Sequence, residues 1–101
     1  SEILHRIDEN TFLSVFEGVP MFNINRELLE GGIVFSELAG EKTEIFPSKG
    51  ELRRTVVGGG VSLNKNKVND SEMIVDSTQL INNKYLLVQK GKKNYYLIKV
   101  N

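Results

Sequence analysis

The sequence predicts an α+β fold in which short helices pack on a small, mainly antiparallel sheet. Residues 47–60 combine a helix-capping pattern with a terminating glycine run, which is typical of one short, well-bounded helix. Two runs of aromatic and β-branched residues, Tyr85 to Gln89 and Tyr95 to Val100, flank a lysine-rich turn and indicate a terminal β-hairpin. With 101 residues, the chain is long enough for one domain with one modest core.

The first elements are expected to be a short helix and an edge strand. Asp8 or Asn10 can cap a helix over Thr11 to Glu17, because an oxygen-bearing side chain accepts from the unpaired N–H groups of a first turn. Val19 to Ile24 alternates in the manner of a strand. Pro20 has no N–H to donate and therefore confines this strand to a sheet edge or makes it a strand start.

Two further helical segments are predicted before the middle of the chain. Asn25 can cap a single turn over Arg26 to Glu30, which two glycines end. A second segment is predicted around Val34 to Ala39, and it can extend to Glu44 despite Gly40.

The best-defined helix is expected to start at Ser48 and to stop at Gly58-Gly59-Gly60. Ser48 is a favoured N-cap residue, and Glu51, three positions later, is expected to complete a capping box by binding the Ser48 backbone N–H. Glycine reaches the left-handed conformation that a helix C-terminus needs without a Cβ clash. At about 100° per residue, Leu52 and Val56 face the core.

The outer face of this helix is basic, since Lys49, Arg53 and Arg54 lie together on it. Val61 to Leu63 then reads as a strand that turns at Asn64 to Asn66, so a lysine-bearing β-turn follows the helix directly. We interpret the helix and the turn together as an RNA-binding surface.

Apolar residues from all of these elements are expected to share one core, and the chain is expected to fold as a soluble monomer. The predicted core members are Phe12, Phe16, Leu38, Phe46, Leu52, Val56, Leu87 and Ile98.

Charge is segregated along the chain, although the formal net charge is zero. Residues 1–46 carry three cations and nine acids, a net charge of −6, and residues 47–101 carry ten cations and four acids, a net charge of +6. A cationic face attracts polyanions, while an acidic face repels them. The alternative is that both sets are simply solvated surface.

Composition limits the remaining chemistry. The absence of cysteine excludes disulfides, thiolate metal sites and cysteine nucleophiles, and agrees with the cytoplasmic location that we expect. No apolar run approaches the roughly 18 residues that span a bilayer. The chain begins at Ser1, and we expect it to be part of a longer protein, with residues 1–8 as a polar lead-in and 9–101 as a single C-terminal domain.

No catalytic site is expected in these residues. His5, the only histidine, lies in the lead-in, and no nucleophile–base pair or metal-ligand spacing can be assembled around it. The run Gly58-Gly59-Gly60 lacks the lysine and the serine or threonine of a phosphate-binding loop, so it reads as a helix stop.

Several motifs resemble a known family. One set of motifs resembles the S-four-like RNA-binding fold, which is named after a protein of the small ribosomal subunit. In chain order these motifs are PSKGELRR, a glycine cluster, VSLN and Lys67-Val68. In that fold two helices and a β-hairpin form the RNA-facing surface, which would span residues 34–70 here. The segments FEGVP, KYLLV and GKKNYYLI narrow the resemblance to the C-terminal domain of bacterial tyrosyl-tRNA synthetases, over residues 9–101.

This resemblance implies a role in gripping tRNA-Tyr at its variable arm or anticodon-stem region. The domain would follow the catalytic and anticodon-binding parts of the same polypeptide, a homodimeric class I tyrosine–tRNA ligase that uses ATP and Mg²⁺. No cofactor is implied for the segment itself. The residues expected to contact RNA phosphates are Lys49, Arg53, Arg54, Asn64, Lys65, Lys67, Lys90, Lys92 and Lys93.

Two features limit the extent of the predicted RNA-binding surface. Glu37, Glu41 and Glu44 fall where the first helix of the motif is expected, so RNA should approach only the second helix, the turn and the terminal hairpin. Tyr95 and Tyr96 could stack on exposed bases, but adjacent strand residues point to opposite faces, so at least one is expected in the core.

Two other interpretations remain open at this point. The same fold occurs in pseudouridine synthases and ribosome-associated proteins, so another RNA-binding protein could carry it. The segregated charges could alternatively serve a domain–domain or subunit contact.

Overall fold

A computed structural model describes residues 8–101, and the predicted lead-in with His5 therefore lies almost wholly outside the described residues. The predicted α+β fold, with short helices on a mainly antiparallel sheet, is confirmed. Its elements are α1 (Glu9–Val15), β1 (Met21–Ile24), a 3-10 helix (Arg26–Leu29), β2 (Ile33–Val34), a π-helix (Glu37–Lys42), α2 (Lys49–Val57), β3 (Val61–Leu63), β4 (Asn66–Lys67), β5 (Ile74–Val75), a second 3-10 helix (Ser77–Gln79), β6 (Tyr85–Lys90) and β7 (Asn94–Val100).

The main sheet has five strands in the order β1-β7-β6-β3-β4. β6 and β7 form the predicted hairpin, antiparallel from Tyr85 opposite Lys99 to Lys90 opposite Asn94. β1 lies at the sheet edge, as Pro20 predicts, and pairs in parallel with β7. β2 and β5 form a separate two-stranded antiparallel sheet. Across residues 8–101, no helix has both the length and the apolar character needed to cross a membrane.

Both faces of the main sheet are covered, so the prediction of one shared core is wrong. Adjacent residues of β6 point to opposite faces, and Leu86 and Leu87 accordingly belong to separate buried clusters. The larger cluster contains the predicted core residues Leu38, Phe46, Leu52, Val56 and Ile98. The smaller contains Phe12 and Leu87, with Phe16 packed against them.

Helix α1 closes the second face of the sheet. It begins at Glu9, two residues before the predicted start, because Asp8 is the N-cap and its Oδ1 accepts from the Thr11 N–H at 2.8 Å. The Glu9 carboxylate fixes the helix to β6 by accepting from the Tyr85 hydroxyl at 2.9 Å and the Lys84 ammonium at 3.1 Å. The Tyr85 hydroxyl lowers the pKa of Glu9, with help from Lys84, while burial and then Glu9 raise the pKa of Tyr85.

The segment predicted to be helical around Val34 to Ala39, with its extension to Glu44, contains a π-helix, and Val34 itself belongs to β2. Only Phe35 and Ser36 are α-helical, and the wider turn of the π-helix runs from Glu37 to Lys42. The buried Thr43 hydroxyl donates to the Leu38 carbonyl, five residues back, at 2.9 Å, which supports this wider turn. By contrast, the Asn25-capped turn forms as predicted, with the Asn25 side chain accepting from the Glu27 N–H at 3.0 Å.

Candidate nucleic-acid interface

Helix α2 has the predicted bounds and register. The Ser48 hydroxyl oxygen accepts from the Glu51 N–H at 3.1 Å, and Gly59 follows the helix in the left-handed region with φ of +77°. Leu52 is fully buried and Val56 is 6% exposed. The opposite side of the helix is therefore left to solvent.

The predicted capping box is only half formed. The Glu51 carboxylate does not return to the Ser48 N–H, and its Oε2 instead lies 4.0 Å from the Lys90 ammonium. That ammonium also donates to the Ile45 carbonyl at 3.5 Å and sits 4.9 Å from the centroid of the Phe46 ring. Lys90 thus contacts the domain through these internal partners, and its role as an RNA-facing residue at the hairpin tip stays a prediction.

Lys49, Arg53 and Arg54 are all exposed along α2. Arg53 Nη2 donates to Glu72 Oε1 at 3.2 Å, and the other oxygen of that carboxylate accepts from the buried Ser36 hydroxyl at 2.7 Å. The Ser36 hydroxyl, followed by Arg53, lowers the pKa of Glu72. Glu72 was missed by the sequence analysis, because an isolated acid in a loop gives no signal of a partner 19 positions away.

The turn between β3 and β4 is built on two left-handed residues, Asn64 with φ of 52° and Lys65 with φ of 70°. Asn64 is only 4% exposed. Its Nδ2 donates to the Gln79 carbonyl at 2.6 Å, and its Oδ1 accepts from the Leu87 N–H at 2.9 Å. The prediction of Asn64 as an RNA contact is therefore corrected, since its side chain joins the turn to the sheet.

The lysines of the same turn lie on its exposed side. The Lys65 ammonium is 2.8 Å from the Tyr95 hydroxyl and 4.5 Å from the centroid of that ring. The Lys67 ammonium lies so close to Gly59 that a Cβ at this glycine would be 2.8 Å from it. The Lys67 side chain therefore reaches from the edge of the sheet to the C-terminal end of α2.

The tip of the terminal hairpin carries the remaining predicted cations, Lys92 and Lys93, both exposed. Tyr95 and Tyr96 are partly buried and pack in different clusters, with ring centroids 5.8 Å from Phe16 and 6.2 Å from Phe22 respectively. The expected opposite orientation of the two tyrosines is confirmed, and neither ring is fully open for stacking.

The acids that were expected to repel RNA belong to the π-helix segment. Glu41 and Glu44 are exposed and Glu37 is half-buried. Glu41 and Glu44 line an open cleft of about 340 Å³ together with Ser48 and Lys49, so the acidic segment borders the start of the basic helix. Within residues 8–101, no group of three or more histidine or acidic side chains is arranged to hold a metal ion.

This geometry can be set beside known proteins. A family model described as the tyrosine–tRNA ligase SYY-like C-terminal domain matches residues 11–98. The chain belongs to this family.

Curated relatives agree with that assignment. Tyrosine–tRNA ligase of Parabacteroides distasonis is 54% identical over 97 residues, which cover 96% of this chain and 23% of the relative. The ligase of Porphyromonas gingivalis is 53% identical over 98 residues, covering 97% and 23%, and that of Cytophaga hutchinsonii is 52% identical over 103 residues, covering 100% and 24%. The tyrosine–tRNA ligase C-terminal domain described here thus spans about a quarter of the length of these relatives.

Proposed function

We propose that this chain binds tRNA-Tyr as the C-terminal domain of a tyrosine–tRNA ligase. The observation that carries the proposal is the polarity of α2, in which Leu52 and Val56 are buried while Lys49, Arg53 and Arg54 face solvent. Family membership identifies the class of polyanion that such a helix would meet, because the curated relatives are named for tRNA as their substrate.

The cations continue beyond the helix. The Lys67 side chain extends from the edge strand to the vicinity of Gly59, and Lys65 lies over Tyr95 on the neighbouring part of the sheet. Lysines and arginines arranged in this way contact phosphates and release condensed counterions, which gives affinity that falls steeply with salt. A-form RNA hides its base edges in a deep, narrow groove, so such a surface selects by shape. The outline of tRNA-Tyr, with its long variable arm, would then provide the specificity.

The rest of the polypeptide would supply the chemistry. In this proposal the catalytic and anticodon-binding parts bind tyrosine, ATP and Mg²⁺ in a cytoplasmic homodimer, and the present domain adds a further contact to the same tRNA. Linking contacts in one chain raises the effective concentration of the second contact, so each can be weak alone.

The direct test is binding of this chain to transcripts of tRNA-Tyr with and without the variable arm, by fluorescence anisotropy at several salt concentrations. We expect weak, salt-dependent binding to the intact transcript and weaker binding to the shortened one. Equal affinity for both transcripts would contradict recognition of the arm, and no binding to either would contradict the proposal itself.

A further inference from the structure

The carboxylate of Glu72 lies between Ser36, at the start of the π-helix segment, and Arg53 on the basic face of α2. One oxygen accepts from the Ser36 hydroxyl at 2.7 Å and the other from Arg53 at 3.2 Å. An acid is unexpected on a surface that attracts phosphates, because it repels the ligand. The two hydrogen bonds of this carboxylate indicate a role that could offset the repulsion.

The loop that carries Glu72 is itself fixed to the core. The Ser36 N–H donates to the Ser71 carbonyl at 2.9 Å, and the Phe35 N–H donates to the Met73 carbonyl at 2.8 Å. Ser36 is 2% exposed, so its hydroxyl holds Glu72 from a buried position. Glu72 therefore directs its other carboxylate oxygen, Oε1, to Arg53 of α2 from a loop that is hydrogen-bonded to the core.

The side chains of Arg53 and Glu72 are similarly exposed, at 57% and 51%, but only Glu72 has a second hydrogen bond to a buried group, so Arg53 would otherwise sample many rotamers. A single hydrogen bond to Glu72 uses one of the five N–H donors of the guanidinium and leaves four for a phosphate. Ordering a long side chain on binding costs affinity, and ordering it beforehand avoids that cost. Lys49 also acts on Glu72 electrostatically, so two cations balance the one acid.

We propose that Glu72, held by Ser36, is a positioning residue that orders Arg53 for one phosphate of a correctly placed tRNA. This inference rests on the proposed function and adds a determinant of specificity to it. RNA that docks in many registers gains little from an ordered arginine, whereas RNA that docks in one register gains the full benefit. Glu72 would therefore raise the ratio of specific to non-specific binding while lowering the general attraction for RNA.

Two variants of this chain separate these effects. Ser36→Ala removes the hydroxyl that holds Glu72 without changing any charge, and Glu72→Gln removes the charge but keeps an oxygen that Ser36 can reach. The probes are a tRNA-Tyr transcript and an unrelated tRNA transcript without a long variable arm, measured at the same salt concentrations. Unfolding curves establish that each variant is folded at the temperature used.

We expect Ser36→Ala to weaken tRNA-Tyr binding by about three- to tenfold, which is the typical effect of ordering one long side chain, with little change for the unrelated tRNA. Glu72→Gln should strengthen binding of the unrelated tRNA and lower the affinity ratio by a similar factor. In an Arg53→Ala background, both substitutions should leave the ratio unchanged, because the residue through which they act is gone.

Other results would overturn the inference. An unchanged ratio in both folded variants would mean that Glu72 only satisfies the Ser36 hydroxyl. A lowered ratio that persists in the Arg53→Ala background would mean that Glu72 does not act through Arg53. Failure of the unsubstituted chain to bind either RNA would instead overturn the proposed function, and this inference with it.

Discussion

Asn64 and Leu87 exchange two hydrogen bonds, although Asn64 belongs to a turn. The Asn64 N–H donates to the Leu87 carbonyl at 2.7 Å, and the Leu87 N–H donates to the Asn64 side-chain oxygen at 2.9 Å. The side-chain amide thereby takes the place of a strand carbonyl. As a result, β3 can enter a left-handed turn while the buried N–H of β6 stays paired.

Replacing Asn64 with Ala should therefore reduce stability. The change leaves the Leu87 N–H without its partner, at a cost of about 1 to 3 kcal/mol, and places alanine at φ of 52°, at a further cost of about 1 kcal/mol. A urea titration measures the loss, with Lys65→Ala as the control in the same turn, expected within about 0.5 kcal/mol of the unsubstituted chain. RNA affinity of the folded Asn64→Ala variant should be nearly unchanged. Unaltered stability with weakened RNA binding would restore Asn64 as an RNA contact.

Leu52 anchors α2 to the larger cluster, where it is fully buried. Leu52→Ala should lower the free energy of unfolding by about 2 to 5 kcal/mol, through lost apolar burial and the cavity left behind. The matched control is Val57→Ala on the same helix, because Val57 is 88% exposed and its truncation should change stability by less than about 0.5 kcal/mol. Similar losses for the two variants in a denaturant titration would place the helix in a different register.

The basic face of α2 should set the salt dependence of tRNA binding. Changing Lys49, Arg53 and Arg54 together to Ala should weaken binding and flatten the plot of log affinity against log salt by roughly two to three units, about one per lost phosphate contact. Binding isotherms at four or more salt concentrations give this slope.

The control for this triple variant is the simultaneous change of Glu37, Glu41 and Glu44 to Gln. These acids lie on or just after the π-helix, and their neutralisation should leave binding unchanged or strengthen it. If the basic variant kept both the affinity and the slope of the unsubstituted chain, α2 would not be the RNA-binding face.

The attachment of α1 should show a characteristic pH dependence. The pKa of Glu9 is lowered from its ordinary value of 4.5, first by the Tyr85 hydroxyl and then by Lys84. A lowered carboxyl pKa contributes stability that is fully present above the unfolded value and is lost as the pH falls through the folded value. Glu9→Gln should therefore make the urea midpoint fall less steeply below pH 4.5 than it does in the unsubstituted chain.

Tyr85 gives the complementary test at high pH. Its raised pKa means that the folded chain favours the neutral phenol, so stability should decline as the pH rises above the ordinary value of 10.0. Tyr85→Phe should remove this alkaline decline. It should also make the urea midpoint fall less steeply at acid pH, because Glu9 loses a hydrogen-bond donor. If the urea midpoint of Tyr85→Phe depended on pH as it does in the unsubstituted chain, at both acid and alkaline pH, the pairing of Glu9 with Tyr85 would be contradicted.

The parts of the fold that follow local rules could be predicted. The Ser48 cap, the glycine stop and the Asn25-capped turn each depend on a few neighbouring residues, and all three form as expected. The register of α2 could be predicted from the spacing of Leu52 and Val56. The same spacing predicted that the three cations of α2 lie on its solvent-exposed face.

The features that depend on distant partners could not be predicted. The π-helix is supported by a side-chain hydrogen bond from the buried Thr43 to the Leu38 carbonyl, which an α-helical pattern does not reveal. Glu51 was assigned to a local box, yet it turns to Lys90, 39 positions away, a partner that only the hairpin brings near. Asn64 illustrates the same problem, because a polar residue in a turn is normally exposed.

One missed feature did have a signal in the sequence. The four residues Tyr85 to Val88 are all apolar or aromatic and all buried. A continuous apolar run in a strand is typical of a sheet that is covered on both faces, whereas alternation is typical of one open face. This run could have indicated the second cluster beneath α1.

The parallel pairing of β1 with β7 has a consequence for synthesis on the ribosome. Met21 lies opposite Leu97, so the first strand cannot find its partner until 76 further residues have been made. At typical translation rates of roughly 5 to 20 residues per second, that delay is about 4 to 15 seconds. During this time the nascent chain carries an unpaired strand, and the proline before it and the asparagine within it reduce its tendency to join another chain.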